Sequence, residues 1–213
     1  MEISYLGHSC IRIHSNGVTL ITDPYDPNLG ISMGRQSADI VTISHDHPNH
    51  AHHVNISGNP RILRGPGEYE IGNFYITGMG TDRNDDEGTA KTNTVFVLQT
   101  EGVVLCHLGD VNHPMTARQI EELNQPDVLF VPIGGRCTIS TEQAADLINR
   151  ISPKIVVPVH YSLENTTGPL QPLAPFLETM AITEPSSNKR LIVTATNLPK
   201  ELKVEVLERP VNN

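Results

Sequence analysis

Apolar and polar positions in the first half of the chain alternate in short runs bounded by Gly, Ser and Asn, the pattern of β-strands. Ile3–Leu6, Cys10–His14 and Val18–Thr22 are such runs, and Ser15-Asn16-Gly17 between the last two is a strong hairpin signal. Ile40–Ser44, Arg61–Arg64, Phe74–Thr77 and Thr94–Thr100 read as further strands, and Glu101-Gly102 turns the chain into Val103–His107. The second half changes character. Thr116–Asn124 has a helical pattern, Asp127–Val131 reads as a strand, and Thr141–Ile151 as a helix opened by Ser140 and Gln143 at capping-box spacing. Ile155–Val159 is a buried strand, Leu173–Met180 a helix, and Leu191–Ala195 and Val204–Leu207 closing strands. A run of strands followed by strands alternating with helices predicts mixed sheets covered by helices, an α/β (α+β) architecture. No composition break or flexible linker interrupts residues 1–213, so one domain is expected. The glycines of Gly65-Pro66-Gly67 and Gly72 read as turns, because no helix pattern follows them as a phosphate loop would require. The Asp82–Glu87 run reads as a solvated acidic loop.

Composition narrows the functional classes. The chain has 213 residues, 38% of them apolar, and no Trp, which is ample for a proper core. No apolar run approaches the length of a membrane helix. The start, MEISYLGHSCIRI, has neither a basic stretch nor a long apolar one, so a cytoplasmic protein is expected. Cys10, Cys106 and Cys137 are odd in number and widely spaced, which suggests reduced thiols in place of a disulfide framework or a zinc ribbon. A formal charge of −9 argues against an extended nucleic-acid surface. It leaves open a small anionic substrate held by a local cationic site or a metal.

The chemistry gathers at strand ends. Strand Ile40–Ser44 runs directly into His45-Asp46-His47-Pro48-Asn49-His50. His45 and His47 are two apart, so a tight loop can aim both rings at one ion, and His50 follows one turn later, after Pro48 opens a short helix. Divalent ions of the zinc type need several neutral imidazoles and carboxylates converging on one point. Three other strands end alike: Asp23 follows Leu20-Ile21-Thr22, Asp110 follows Val103–His107 through Leu108-Gly109, and His160 follows Ile155–Val159. Ligands delivered by separate strand-end loops make a deep site with a position open to water, the mark of a catalytic metal over a structural one. Each histidine taken alone is more often a solvated loop residue, so the weight lies in the matched placement. His107 could line the site or be a buried, hydrogen-bonded histidine. Cys137, in Gly134-Gly135-Arg136-Cys137-Thr138, has no evident base partner and reads weakly as a nucleophile, while Arg136 beside it could hold an anionic group. Tyr161, next to His160, could donate a hydrogen bond to a developing oxyanion or simply pack. His52 and His53 read as solvated, and His113, after the Gly109-Asp110 motif, as a surface residue.

These motifs, in this order, resemble those of the metallo-β-lactamase-fold hydrolase superfamily. The hallmarks appear as TDP (Asp23), HDHPNH (His45, His47, Asn49, His50), HLGD (Asp110) and PVHY (His160), spanning Tyr5 to about Tyr161. The opening YLGHSCIRI, with His8, resembles the small lactonase-like branch related to L-ascorbate-6-phosphate lactonase. The resemblance implies a four-layer αββα sandwich with metal at one edge of two packed sheets. It implies that His45 and His47 help hold one ion, that position 49, His50 and His160 hold a second, and that Asp110 bridges both, with Asp23 orienting a ligand from behind. It also implies a divalent cofactor, zinc first, with manganese, iron or nickel as alternatives, in one or two copies. In that family hydroxide held by the metal attacks a carbonyl carbon or phosphorus. The branch places a histidine at position 8, where it could contact substrate or be structural.

This sequence departs from the pattern twice. The aspartate of the histidine motif is Asn49, which offers a neutral oxygen but no charge. The family's middle histidine is expected around Gly80–Asp86, where none is present; Asn84 falls near the place, and Asp85 or Asp86 beside it could replace the missing ligand, although a solvated loop is the plainer reading. The expectation is therefore a metal-dependent hydrolase of a small ester, lactone or phosphodiester with a reduced ligand set, in which Asp110, His8 and Tyr161 are the catalytic candidates. The alternative is a degenerate member that binds a ligand or partner without catalysis. An RNA nuclease is disfavoured by the acidic balance. A homo-oligomer is compatible with the branch, but no residue here specifies an interface.

Overall fold

The computed structural model describes residues 1–84 and 90–210. Its elements in chain order are β1 (Glu2–Gly7), β2 (Cys10–Ser15), β3 (Val18–Thr22), β4 (Gln36–Ser37), β5 (Ile40–Ile43), α1 (Pro48–Ala51), β6 (Ile56–Ser57), β7 (Arg61–Arg64) and β8 (Gly67–Ile71). The long strands β9 (Phe74–Asn84) and β10 (Ala90–Thr100) follow, then β11 (Val103–His107), α2 (Ala117–Glu121), β12 (Val128–Pro132), α3 (Thr141–Ile151) and β13 (Ile155–Val159). The chain closes with α4 (Ala174–Thr179), β14 (Ser186–Asn188), β15 (Leu191–Ile192) and β16 (Lys203–Leu207).

Two sheets carry the structure. One has the order β15-β1-β2-β3-β5-β7, the other β14-β16-β13-β12-β11-β10-β9-β8. In both, antiparallel hairpins pass into parallel strands: β3, β5 and β7 run parallel, as do β11, β12, β13 and β16. One apolar core joins Ile3, Tyr5, Ile11 and Ile13 of the first sheet to Phe74, Phe96 and Phe130 of the second, so the sheets pack face to face. Strands β12 and β13 are buried along their whole length, as strands covered on both faces must be. Their outer face is covered by α3, which turns Ala144, Leu147, Ile148 and Ile151 inward and packs beside α4. The outer face of the first sheet buries Leu6, Ile21, Val41 and Ile43 under Tyr25, Leu29, Ile31 and Ala38. There the fourth layer is the segment after β3, with a single 3-10 turn at Pro27–Leu29, together with the one-turn α1. No helix among the described residues is long and apolar enough to cross a membrane.

Several boundaries differ from those read in the sequence. The 82–84 part of the acidic run is the end of β9, paired with β10 through Asp82↔Thr92 and Arg83↔Lys91, and is no loop. Asp85 and Asp86, the candidate replacement ligands, lie outside the described residues. Gly67 opens β8 instead of standing in a turn. Helix α2 is shorter than expected because Asn124 and Gln125 take left-handed conformations ahead of Pro126, which excludes the helical form from the residue before it. Strand β15 stops early because the Thr194 N–H turns to the Asn197 side chain. The capping box at α3 forms as read, with Ser140 and Gln143 exchanging side-chain to backbone hydrogen bonds.

His107 ends β11 and is fully buried between the sheets. Its Nε2 lies 2.9 Å from the Ser9 carbonyl, and its ring packs at 6.1 Å from that of Phe130. It is the buried, hydrogen-bonded histidine of the two readings and does not line the site cavity. Burial pushes its pKa down to about 4, with the Ser9 carbonyl pulling the other way. The unfolded chain titrates this ring near pH 6.5 and the folded chain only near 4, so the unfolded state binds more protons between those values. Stability contributed at neutral pH is therefore lost as pH falls from about 6.5, on the order of 2 kcal/mol by pH 4.5 for this residue. Denaturant unfolding of wild type and His107→Gln at the two pH values measures this; the variant is expected to lose less stability, and parallel losses would refute the assignment.

Candidate metal centre

Every side chain of the site arrives from the carboxyl end of a strand, where parallel sheets gather ligand-binding loops. β1 delivers His8, β3 Asp23, β5 Ser44 and His45, β11 Asp110, β12 the loop carrying Arg136 and Cys137, and β13 His160. Backbone hydrogen bonds lock these ends across the two sheets: the His160 N–H donates to the His8 carbonyl at 2.7 Å, and the Thr94 N–H to the Ser44 carbonyl at 2.7 Å. His8, Asp23 and His160 all adopt left-handed backbone, with φ of 54°, 39° and 54°. That conformation costs free energy for a residue bearing a Cβ. Here it turns each side chain sharply off the end of its strand into the gap between the sheets.

Histidine rings crowd that gap. The His8 ring centre lies 4.2 Å from His160 and 4.9 Å from His50, and the His45 ring 4.3 Å from His50. Ligand atoms of His8, His50 and His160 lie within 4.8 Å of one another, as do those of His45, His50 and Asp110, and those of Asp110, Cys137 and His160. His8 Nε2, His45 Nε2 and His160 Nδ1 are buried without a hydrogen-bond partner among the described residues. Orphaned buried polar atoms are costly and call for an explanation. A divalent ion accepting their lone pairs removes that cost, so the donor set fits a metal. Burial keeps the rings neutral, as ligation requires. It pushes His45 down to about 2 and His160 to about 3, with the nearby Arg83 charge acting in the same direction, and it lowers His8 and His50 well below the usual imidazole range.

A second layer of contacts fixes which nitrogen each ring presents. Asp23 is fully buried, with Oδ1 accepting the Ser44 N–H at 2.7 Å and Oδ2 the Ser44 hydroxyl at 2.6 Å. Since the hydroxyl proton goes to Asp23, the Ser44 oxygen is left to accept from His45 Nδ1, 3.1 Å away. Asp23 Oδ2 also lies 2.9 Å from His50 Nδ1. Burial pushes Asp23 up to about 8, against the two Ser44 hydrogen bonds, and one proton serves the Asp23–His50 contact. A proton on Nδ1 of each ring would turn the Nε2 lone pairs of His45 and His50 toward Asp110 and the cavity. Asp23 thus stands behind both rings, touching His50 directly and His45 through Ser44.

Asp110 sits in the middle. Its N–H donates to the side chain of Asn93 at 2.9 Å, and Asn93 is itself buried and donates to Thr81 and to the Leu108 carbonyl. Gly109 allows this approach: at φ +63°, a Cβ there would lie 2.4 Å from Asn93 Oδ1 and 2.5 Å from Ser44. Asp110 Oδ2 lies 3.7 Å from His45 Nε2, and Oδ1 3.3 Å from His160 Nδ1. Oδ2 also accepts from Arg83, at 3.0 Å from Nε and 2.5 Å from Nη2. Arg83 is buried because β9 alternates, turning Thr81 and Arg83 inward and Asp82 and Asn84 to solvent. Sequence reading missed both Arg83 and Asn93. The alternation was the available signal, hidden by the acidic residues around it.

Other expected residues are placed differently. His47 is exposed, and its Nδ1 caps α1 by accepting the Asn49 N–H at 3.2 Å. Its ring stacks 6.0 Å from that of His45 at the border of the cavity, though it belongs to none of the converging groups. Asn49 borders the cavity. Asn84 is on the exposed side of β9, against Asn112 and His113, and His113, a surface residue as expected, also borders the cavity. Tyr161 stacks on Tyr5 at 6.0 Å with its hydroxyl pushed up to about 12 by burial, and it does not line the cavity; the structure gives it a packing position and no path to an oxyanion. Cys137, set aside for want of a partner, stands beside Asp110 and His160. The cavity, about 720 Å³, is rimmed further by Arg136 and Asn112, and Asp110 is the only acidic residue among its described lining.

Comparison with known proteins agrees with this geometry. Residues 2–160 match the family model described as beta-lactamase superfamily domain. A UPF0173 metal-dependent hydrolase of Methanoregula boonei is 30% identical over 186 residues, covering 76% of this chain and 82% of its own. One from Lysinibacillus sphaericus is 28% identical over 204 residues, covering 80% and 88%. The crystal structure of a Thermotoga maritima protein, described as a candidate zinc-dependent hydrolase of the metallo-beta-lactamase superfamily, superposes with a TM-score of 0.81 at 34% identity over 98% of this chain and 99% of that one.

If Asp23 sets the ring tautomers, Asp23→Asn is expected to weaken zinc binding by about 10- to 100-fold while leaving the fold intact. Competition with a chromophoric chelator measures the affinity, and circular dichroism checks the fold. Unchanged affinity in a folded variant would show that the rings need no such support.

Proposed function

This chain belongs to the metallo-β-lactamase superfamily, in its UPF0173 metal-dependent hydrolase family, and we propose that it is a metal-dependent hydrolase of small anionic molecules. The observation that carries this reading is the meeting of His8, His45, His50, His160 and Asp110 in overlapping groups of ligand atoms, with three buried imidazole nitrogens left for a ligand. Zinc suits a set dominated by neutral imidazoles with one carboxylate and an adjacent thiol. His50 and His160, with His8 or Asp110, would hold the ion. When bound, a divalent ion supplies Lewis acidity and makes water nucleophilic near neutral pH.

The chain's own residues define what enters. Arg83 and Arg136 bring positive charge to a cavity whose described lining has one carboxylate, already engaged by Arg83. A substrate with a carboxylate or phosphate group is favoured there, although the chain as a whole carries −9. The bond cleaved is that of an ester, lactone or phosphodiester. The open rim at Asn112, His113 and Arg136 suits a small molecule, and a formal charge of −9 disfavours an extended nucleic-acid surface. Asn49 and the engaged Asp110 favour a second reading, a member that binds an anionic ligand without turning it over.

The test is a panel of lactones, carboxylic esters and phosphodiesters with zinc or manganese supplied, run beside metal analysis. His160→Ala is expected to lose bound metal and at least about 100-fold in kcat/KM, some 2.7 kcal/mol of transition-state stabilisation. Metal binding without turnover of any class would favour the ligand-binding reading, and absence of metal binding would refute both.

A further inference from the structure

Resting on the metal-dependent reading, the geometry points to Arg83 as a built-in cation that takes the place of a second metal ion, so that the site holds one divalent ion, at the His8–His50–His160 side. Nothing in the chemistry of arginine allows it to be a ligand: the guanidinium has donors only and stays protonated. Its Nε and Nη2 both point at one oxygen, Asp110 Oδ2, which is also the carboxylate oxygen nearest His45 Nε2. The oxygen that would bind an ion on the His45 side is thus already spent on a fixed positive charge. An ion placed there would face that charge at close range in a buried setting, where like-charge repulsion is poorly screened.

The rest of that side is depleted too. His47 is exposed and uses Nδ1 as a helix cap, and Asn49 brings no charge. His45 remains as an imidazole whose Nε2 is buried and without a hydrogen-bond partner among the described residues. The opposite side keeps its donors. His8, His50 and His160 bring three imidazoles within 4.8 Å, His50 is oriented by Asp23, and Asp110 Oδ1 and Cys137 stand beside His160. Arg83 is held where it is by the β9–β10 pairing, Arg83↔Lys91, and by the inward turn it shares with Thr81. It is a positioning residue and an excluder of metal, and its positive charge sits where an anionic group of the substrate would otherwise meet the second ion.

Zinc stoichiometry is the readout, taken on protein stripped with chelator, saturated with zinc and freed of excess by gel filtration, with calorimetric titration alongside. Wild type is expected to hold one ion per chain, and Arg83→Lys, which keeps the charge, also one. Arg83→His combined with Asn49→Asp restores a donor and a carboxylate and is expected to hold two. Arg83→Gln removes the repulsion and is expected to bind its first zinc about tenfold more tightly. Two ions in wild type would overturn the inference while leaving the metal-dependent reading intact. Zinc affinity unchanged or weaker in folded Arg83→Gln would overturn it as well, and so would one ion in a folded double variant. No zinc in wild type would bring down the metal-dependent reading and this one with it. The wild-type count and the Arg83→Gln titration decide the matter even where the double variant does not fold.

Discussion

A single buried carboxylate organises this site. Asp110 accepts two N–H groups from Arg83, faces His45 with one oxygen and His160 with the other, and takes its own backbone position from Asn93. A carboxylate so placed is tolerable only if its charge is matched. Breaking a buried ion pair by deleting one partner typically costs about 3–5 kcal/mol, because the survivor stays uncompensated. Arg83 and Asp110 therefore depend on each other. This dependence gives a reason for the polar end of β9 to remain a strand: Thr81 and Arg83 turn inward to the Asn93–Asp110 corner, although no apolar stripe draws them there.

Around that pair the fold acts as a clamp. Strands of both sheets end at one level, and residues that must leave the strand direction abruptly adopt left-handed backbone. Such strain persists only where the surroundings over-determine it. At His8 and His160 they do, because the two backbones hydrogen-bond to each other and the Tyr5 hydroxyl donates to the same His8 carbonyl at 2.9 Å. At Asp23 the determinants are the Thr42 carbonyl on its N–H and Ser44 on its side chain. Tyr161, stacked on Tyr5, belongs to this clamp.

What was legible in the sequence followed from local rules. Strand-end placement of Asp23, His45, His50, Asp110 and His160 could be read because each follows an apolar run whose length and termination are local properties. The αββα layering came with the family resemblance and is borne out by the superposition on the Thermotoga maritima structure. What was not legible depended on pairing across the sheet. Whether residue 83 is a loop residue or an inward strand residue is decided by its register against β10, which a polar sequence does not display. Asn93 looked like one polar residue among several threonines, and only the approach of Gly109 gives it a task. His47 shows a related limit: two-residue spacing does bring its ring beside that of His45, but the use of its Nδ1 as a cap at the start of α1 is set by the turn and not by the spacing.

The remaining question is why a chain of net charge −9 gathers cations and neutral imidazoles in one cavity. Long-range attraction of an anion is opposed by the protein's overall charge, yet that field is screened within about 8–10 Å at physiological salt. Inside the cavity the local charges dominate. Arg83 is permanent, whereas a metal ion exchanges with its surroundings and depends on rings staying unprotonated. Dividing the positive charge between one resident guanidinium and one exchangeable ion keeps part of the anion-attracting field in place whatever the supply of metal. On the inference of a single ion, Asn49 and the absence of a histidine at 80–84 read as one coordinated arrangement, since a site with a fixed cation at Asp110 has no use for the ligands of a second ion.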